Sequence, residues 1–326
     1  MERLREDPID TASGSPSMGH TRIQDIDLPI KAAREIASAH GVIPDRCDIL
    51  QNGSTLVLRL SETLVARIVT NLDGPRQGNE WYAREIAVAA HLARHKAPVI
   101  PLHPAIPPEP YEHLGFPMNF WQFVTATGSD PDPEMIGKTL HDCHEVLLKF
   151  DQPLPHLEIL EESIRVLELK SARNHFSPPT LELLRGHLTT TIGTLGQFPS
   201  QPLHGDAHLG NLMHTTSGLL WTDWEDTFTG PVEWDLASAI WNALILEADQ
   251  TTVDQILEGY RQAGGEINPL ALHHSLIGRA AVMSAWYPIL YPHPSQDRQI
   301  KLQRRLDWLE TMASSDQPSN RLNCQN

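Results

Sequence analysis

The strongest constraint on how this chain folds lies in residues 203–226, where LHGDAHLGNLMH is followed by a four-residue polar break, a short apolar run and WTDWED. Residues 212–214 and 219–222 have the length and apolar character of short strands, and Thr215-Thr216-Ser217-Gly218 between them is made of turn-forming residues. A hairpin closed there pairs His214 with Leu219. Counting outward sets Asn211 opposite Thr222, one residue from Asp223. An amide and a carboxylate are thus expected side by side at the open end, with Asp206 on the loop just before it.

Those residue types have a chemical meaning together. A carboxylate can orient a hydroxyl and take its proton, while an amide oxygen and a second carboxylate are hard donors for Mg²⁺. Phosphoryl transfer from a nucleotide needs these groups close together. The pattern H-G-D-x-H-x-x-N, here His204-Gly205-Asp206-Ala207-His208-Leu209-Gly210-Asn211, resembles the catalytic loop of the aminoglycoside phosphotransferase and choline kinase superfamily. Asp223-Trp224-Glu225, running through Gly230-Pro231 to Trp234-Asp235-Leu236-Ala237, resembles that family's metal-binding segment and the start of its next helix.

The resemblance by motif spans residues 50–237. It implies an α+β, protein-kinase-like two-lobed fold: a small N-terminal β-sheet lobe and a larger, mainly helical C-terminal lobe, with nucleotide between them. It also implies ATP and Mg²⁺ as cofactors and transfer of the γ-phosphate to a hydroxyl of a small molecule. Asp206 would then be the catalytic base, and Asn211 and Asp223 the metal ligands. Acceptors across the family include aminoglycosides, choline, homoserine and sugars, and the motifs carry no signature for one of them.

The N-terminal half reads accordingly. Residues 28–40 have helical apolar spacing, and three β-type runs follow at 48–50, 56–60 and 64–69. A long amphipathic helix is expected over 80–94 and a further strand over 119–124. The segment 125–133, with Gly128, Pro131 and Pro133, reads as a linker. This divides the chain into a disordered leader (1–20), a nucleotide-binding lobe (21–125), a catalytic and substrate lobe (126–313) and a disordered tail (314–326). In the turn after the first strand, Gly53 and Ser54 are candidates for backbone donors to phosphate. Alternation in residues 64–69 places Arg67 mid-strand on the face of Val65 and Val69, where a charge is costly unless paired. Glu85 on the following helix is the expected partner. The resembling family usually has Lys at the Arg67 position, so Arg, with its two-pronged head, is a departure. The family also binds adenine through main-chain groups of the strand leading to the linker, which makes Phe123 the candidate there.

Composition narrows the partners. With 41 acidic and 25 basic residues the formal charge is −16, which opposes binding to nucleic acid and would steer a cationic acceptor towards the protein. No apolar run is long enough to suggest a membrane span, and the first residues lack a secretory pattern, so a cytoplasmic enzyme is expected. Cys47, Cys143 and Cys324 have no metal-like spacing and no disulfide framework. Two other readings remain at this level. His204, Asp206 and His208 alternate as H-x-D-x-H and could chelate a hydrolytic metal, and a kinase-shaped but catalytically weak binding module would carry the same motifs. Gly137-Lys138-Thr139 imitates the end of a P-loop, but Asp132 stands where the earlier glycine is needed.

Overall fold

The structure, a computed structural model, describes residues 26–53, 55–70 and 80–315. The expected leader (1–20), Ser54 and residues 316–326 of the expected tail lie outside the described residues. Along the chain run α1 (Asp27–Ala39), β1 (Asp48–Asn52), β2 (Thr55–Arg59), β3 (Leu64–Val69), α2 (Glu80–Arg94), β4 (Tyr111–His113), β5 (Phe116–Gln122) and α3 (Pro133–Leu147). Next come α4 (Glu158–Leu167), α5 (Lys170–His175), α6 (Pro178–Leu195), β6 (Gln201–Pro202), β7 (Leu212–Thr215), β8 (Gly218–Trp221) and β9 (Thr229–Gly230). The described chain ends with α7 (Glu233–Trp241), a π-helical segment (Asn242–Glu247), α8 (Gln250–Gln262), α9 (Pro269–Ala285), α10 (Tyr287–Leu290) and α11 (Gln296–Ser315).

Two compact units emerge. The first combines Met1–Pro131 with Asp206–Thr227. Its sheet is antiparallel in the order β1-β2-β3-β5-β4, so β3 is central, with Arg67 opposite Val57 on one side and Asn119 on the other. Ala32, Ala33 and Ala37 of α1 pack on Leu56, Leu58, Ala66, Ile68 and Phe120, which fills one face of the sheet. Period-two alternation turns Arg67 to the other face. The three-residue strand β4 was not expected from the sequence. It lacks the four to eight residues by which a strand is recognised, and it forms because Gly115, at φ +84°, lets the chain reverse onto β5. The β7–β8 hairpin belongs to this unit, held by Ile100 N–H to Trp221 O (3.0 Å) and Trp221 N–H to Pro98 O (2.9 Å).

The second unit combines Asp132–Gly205 with Phe228–Asn326 and is helical apart from the two-residue pair β6–β9. Its core gathers Leu160, Leu184, Leu188, Trp234, Ile277, Ala281 and Trp286. The segment that imitates a P-loop lies inside α3, whose start is capped by Asp132 accepting from Glu134 N–H (3.1 Å). Gly137 serves packing there. A Cβ on it would lie 2.0 Å from Ile256 O of α8, and one on Gly259 would lie 2.0 Å from Glu134 O. Among the described residues, no helix is long and apolar enough to cross a membrane.

Candidate active site

The hairpin forms in the expected register. Leu212 faces Trp221, His214 faces Leu219, and Thr222 N–H donates to Asn211 O at 3.0 Å. Strand pairing runs one step further than expected, to Thr215 and Gly218, so the tight turn is Thr216-Ser217. Asp223, next along, adopts φ +66° and ψ +61°, a left-handed conformation that Asp tolerates better than most residues and that turns the chain out of the strand.

Asp206 and Asn211 meet on the loop before the hairpin. The Asn211 amide donates to Asp206 O (3.0 Å) and, at longer range, to Asp206 Oδ2 (3.4 Å). That fixes Nδ2 and leaves Asn211 Oδ1 as the acceptor end. Both residues are 2% exposed. His208 holds the loop: its Nδ1 accepts from Gly210 N–H at 2.9 Å, and its Nε2 lies 3.5 Å from Asp206 Oδ2. In the helical unit, Asp235 accepts from the N–H groups of His204 (2.7 Å) and Gly205 (2.9 Å) and contacts His144 Nε2 at 2.9 Å. Trp234 Nε1 donates to Gly205 O at 2.7 Å. Gly205 sits at φ +86°, and the residue after it is Asp206. The segment immediately before Asp206 is thereby fixed on both its donor and acceptor sides.

Arg67 lies at the centre of an acidic cluster. Its Nη1 donates to Glu85 Oε2 at 2.8 Å and its Nη2 to Glu225 Oε2 at 2.9 Å. Nη2 also lies 3.0 Å from Asp223 Oδ1, a charge contact without the alignment of a hydrogen bond. Burial alone would lower the Arg67 pKa, but Asp223, Glu85 and Glu225 raise it well above its usual value. Burial pushes Glu85 up to about 7 against the pull of Arg67. Burial also raises Asp223 well above the carboxylate range, again against Arg67, with repulsion from Glu225, Glu85 and Asp226 adding to it. One guanidinium is shared among three carboxylates, so ionising all three would leave surplus negative charge, which adds to burial in raising Glu85 and Asp223.

The support for this cluster includes residues that sequence reasoning missed. Asn119 Nδ2 donates to Glu85 Oε2 (2.7 Å), and Trp121 Nε1 donates to Asn119 Oδ1 (2.8 Å). The signal was available in principle: Asn119 and Trp121 alternate on β5, and Asn119 is the cross-strand neighbour of Arg67. Glu225 is 5% exposed, and Arg84 donates to its main-chain oxygen at 3.3 Å.

The remaining candidates are less concentrated. Gly53 N–H is engaged by Thr55 O (3.1 Å), and its carbonyl accepts from Thr70 Oγ1 (3.3 Å). Phe123 follows the end of β5. Its N–H donates to Thr63 O at 2.7 Å and its ring lies 3.6 Å from the Arg59 guanidinium carbon. Among the described residues, no group of three His, Cys, Asp or Glu side chains is gathered as a metal site. Asn211 Oδ1 and the Asp223 carboxylate are oxygen donors of the kind a hard cation takes, so the residues present fit Mg²⁺ as a two-residue site completed by phosphate and water.

The sequence profile of the phosphotransferase enzyme family matches residues 37–270. No curated protein matches the chain. Solved structures with the same fold include an amicoumacin kinase in complex with AMP-PNP, Ca²⁺ and Ami, 14% identical, covering 82% of this chain and 89% of its own, with a TM-score of 0.65. A microcompartment-associated aminopropanol kinase is 17% identical, with coverage of 87% and 97% and a TM-score of 0.63. A choline/ethanolamine kinase family protein from Mesorhizobium loti is 16% identical, with coverage of 88% and 96% and a TM-score of 0.59. At these identities the likeness establishes the α+β, kinase-like fold. The match over 37–270 establishes more: the chain belongs to the phosphotransferase enzyme family and is a small-molecule kinase.

Proposed function

We propose that the protein transfers the γ-phosphate of ATP to a hydroxyl of a small molecule, with Asp206 as base. The observation that supports the reading is the clasp between Asp206 and Asn211 at the open end of a hairpin whose register sets Asp223 one residue beyond the Asn211–Thr222 pair. Asp206 orients the acceptor hydroxyl and takes its proton as the new O–P bond forms. Asn211 Oδ1 and Asp223 hold Mg²⁺, which when bound neutralises charge on the phosphates. Glu85 and Glu225 hold the Arg67 head, which stands where the family usually has Lys. Gly53 and Ser54 belong to the turn assigned to the phosphates, and the main chain at Phe123 to the strand end assigned to adenine. AMP-PNP in the amicoumacin kinase structure supports a nucleotide donor.

The test is transfer of γ-labelled phosphate from MgATP to a pooled panel of aminoglycosides, choline, aminopropanol, homoserine and simple sugars. Asp206→Asn is run alongside. Transfer by the wild type that is lost in the variant, with MgATP binding retained, is the expected result. Undiminished transfer in Asp206→Asn removes Asp206 from the role of base. MgATP binding without transfer to any acceptor would instead favour the catalytically weak module.

A further inference from the structure

Asp223 Oδ1 is buried and accepts no hydrogen bond among the described residues. A carboxylate oxygen shut away from water in that way is costly unless a cation answers it. The cation beside it is Arg67 Nη2, at 3.0 Å but out of line, because the aligned bond of Nη2 runs to Glu225 Oε2 at 2.9 Å. The other prong is anchored. Nη1 donates to Glu85 Oε2 at 2.8 Å, and that same oxygen accepts from Asn119 Nδ2 at 2.7 Å, while Asn119 Oδ1 accepts from Trp121 Nε1. The Arg67 head therefore has one prong fixed and one divided between two carboxylates, all within a single compact unit.

Asp223 is also the carboxylate assigned to Mg²⁺, so two cations have a claim on one residue. A divalent ion at Asp223 and a guanidinium nitrogen 3.0 Å from the same oxygen repel at close range, in surroundings that screen poorly. Arg67 is displaceable there, because its hold on Asp223 is a charge contact without the directional bond it makes to Glu225. Lysine, the family's usual residue at this position, has a single nitrogen, and the anchored Glu85 is the acceptor it would keep. The second prong, and with it the claim on Asp223, exists because this chain has Arg.

We infer that Arg67 governs metal entry: its second prong competes with a divalent cation for Asp223, and the phosphates of the nucleotide draw that prong away. Arg67 keeps Nη1 on Glu85 throughout. Glu225 holds Nη2 beside Asp223 until phosphate oxygens offer it in-plane acceptors. Metal and nucleotide then bind with positive coupling, each raising the affinity of the other by the same factor. This rests on the kinase reading above and deepens it, by giving the Arg that replaces the usual Lys a role in the order of binding.

The test is binding of Mn²⁺, a paramagnetic stand-in for Mg²⁺, to the full chain, read from the electron paramagnetic resonance signal of the free ion with and without ADP. Without nucleotide, Arg67→Lys should bind Mn²⁺ about tenfold tighter than the wild type or more, the scale on which a close charge pair couples. With ADP bound to both proteins the difference should largely vanish. Arg67→Lys keeps the charge, so a field of the whole cluster without contact at Asp223 predicts no change. Asp223→Asn added to Arg67→Lys should remove the gain. Equal Mn²⁺ affinities of wild type and Arg67→Lys overturn the inference. So do a gain that survives Asp223→Asn, a difference undiminished by ADP, and failure of Arg67→Lys to bind Mn²⁺ at millimolar concentration. Should Arg67→Lys not fold, Glu225→Gln reads the same contact from the other side. It leaves Nη2 to Asp223 alone, so Mn²⁺ without nucleotide should bind more weakly than to the wild type, and equal or tighter binding refutes the competition. Asp206-dependent transfer together with equal Mn²⁺ affinities in wild type and Arg67→Lys sinks the inference and leaves the kinase reading standing. Absence of ADP binding sinks the nucleotide donor, and the inference with it.

Discussion

Replacing Arg67 by Met tests whether the acidic cluster is held by one cation. The Arg67 side chain is 13% exposed, and the partners it would leave, Glu85, Asp223 and Glu225, are 1%, 13% and 7% exposed. Removing one member of a buried ion pair costs about 3–5 kcal/mol, because the other charge stays buried without compensation. Three carboxylates would remain here, although protonation of Glu85, already pushed up to about 7, relieves part of the repulsion. At roughly 2–4 °C per kcal/mol for a unit of this size, the midpoint should fall by about 10 °C. Arg67→Lys keeps the charge but has a single nitrogen, which cannot span Glu85 at 2.8 Å and Glu225 at 2.9 Å from different prongs. Losing one charged hydrogen bond at about 1.5–3 kcal/mol gives a fall of about 5 °C. Glu225→Gln should move the midpoint little or raise it, since it removes one of three carboxylates competing for one cation. Circular dichroism melts of the four proteins at neutral pH give the ranking. If Arg67→Met unfolded with the wild type while Glu225→Gln fell, the cluster would not be organised around Arg67.

Other expectations follow from the same geometry. The raised Glu85 pKa means that the folded state keeps a proton the unfolded chain releases, so its stabilising contribution is full below about pH 4.5 and is lost as pH rises towards about 7. Urea midpoints should therefore drift down across that window, and Glu85→Gln should reduce the drift, the remainder coming from the raised Asp223 carboxyl. An unchanged slope would show that another group titrates. Asp235→Ala deprives the His204 and Gly205 N–H groups of their acceptor, so it should cut transfer at least tenfold and cost about 2–3 kcal/mol in unfolding. Wild-type turnover would show that the loop needs no brace. Gly259→Ala forces a methyl to within 2.0 Å of Glu134 O and should destabilise by about 3 kcal/mol or more, read as a lower melting temperature, without altering Asp206 chemistry.

Local chemistry decided what could be read from the sequence. The hairpin register was legible because a four-residue break between two short apolar runs allows few pairings, and each pairing fixes what stands at the open end. The Arg67–Glu85 pair was legible because a charge in the middle of an apolar strand demands a partner, and α2 offers a buried Glu. Glu225 was not, since its burial depends on Asp223 turning left-handed and sending the next residues back towards β3. Backbone reversal of that kind leaves no periodicity to detect. Asn119 was hidden differently: its role comes from standing opposite Arg67 in a pairing between strands fifty residues apart, and pairing order is a property of the whole sheet.

Arg305 marks the limit of the approach. In sequence it is one of several basic residues on a polar terminal helix, indistinguishable from Arg304 beside it. Only packing separates them, since α11 leaves Arg304 exposed against a carbonyl and buries Arg305 among rings, with its Nε lacking an acceptor. A sequence pattern records where a charge must be compensated when its neighbours are apolar along the chain. It does not record a deficit created by side chains that meet from three different elements, α7, α10 and α11. Asp206, Asn211 and Asp223 stand on one short stretch and read as a motif, whereas Arg305 is buried by side chains from separate helices. That difference is why the reaction class reads from residues 203–226 while the surroundings of Arg305 do not read from its own stretch of chain.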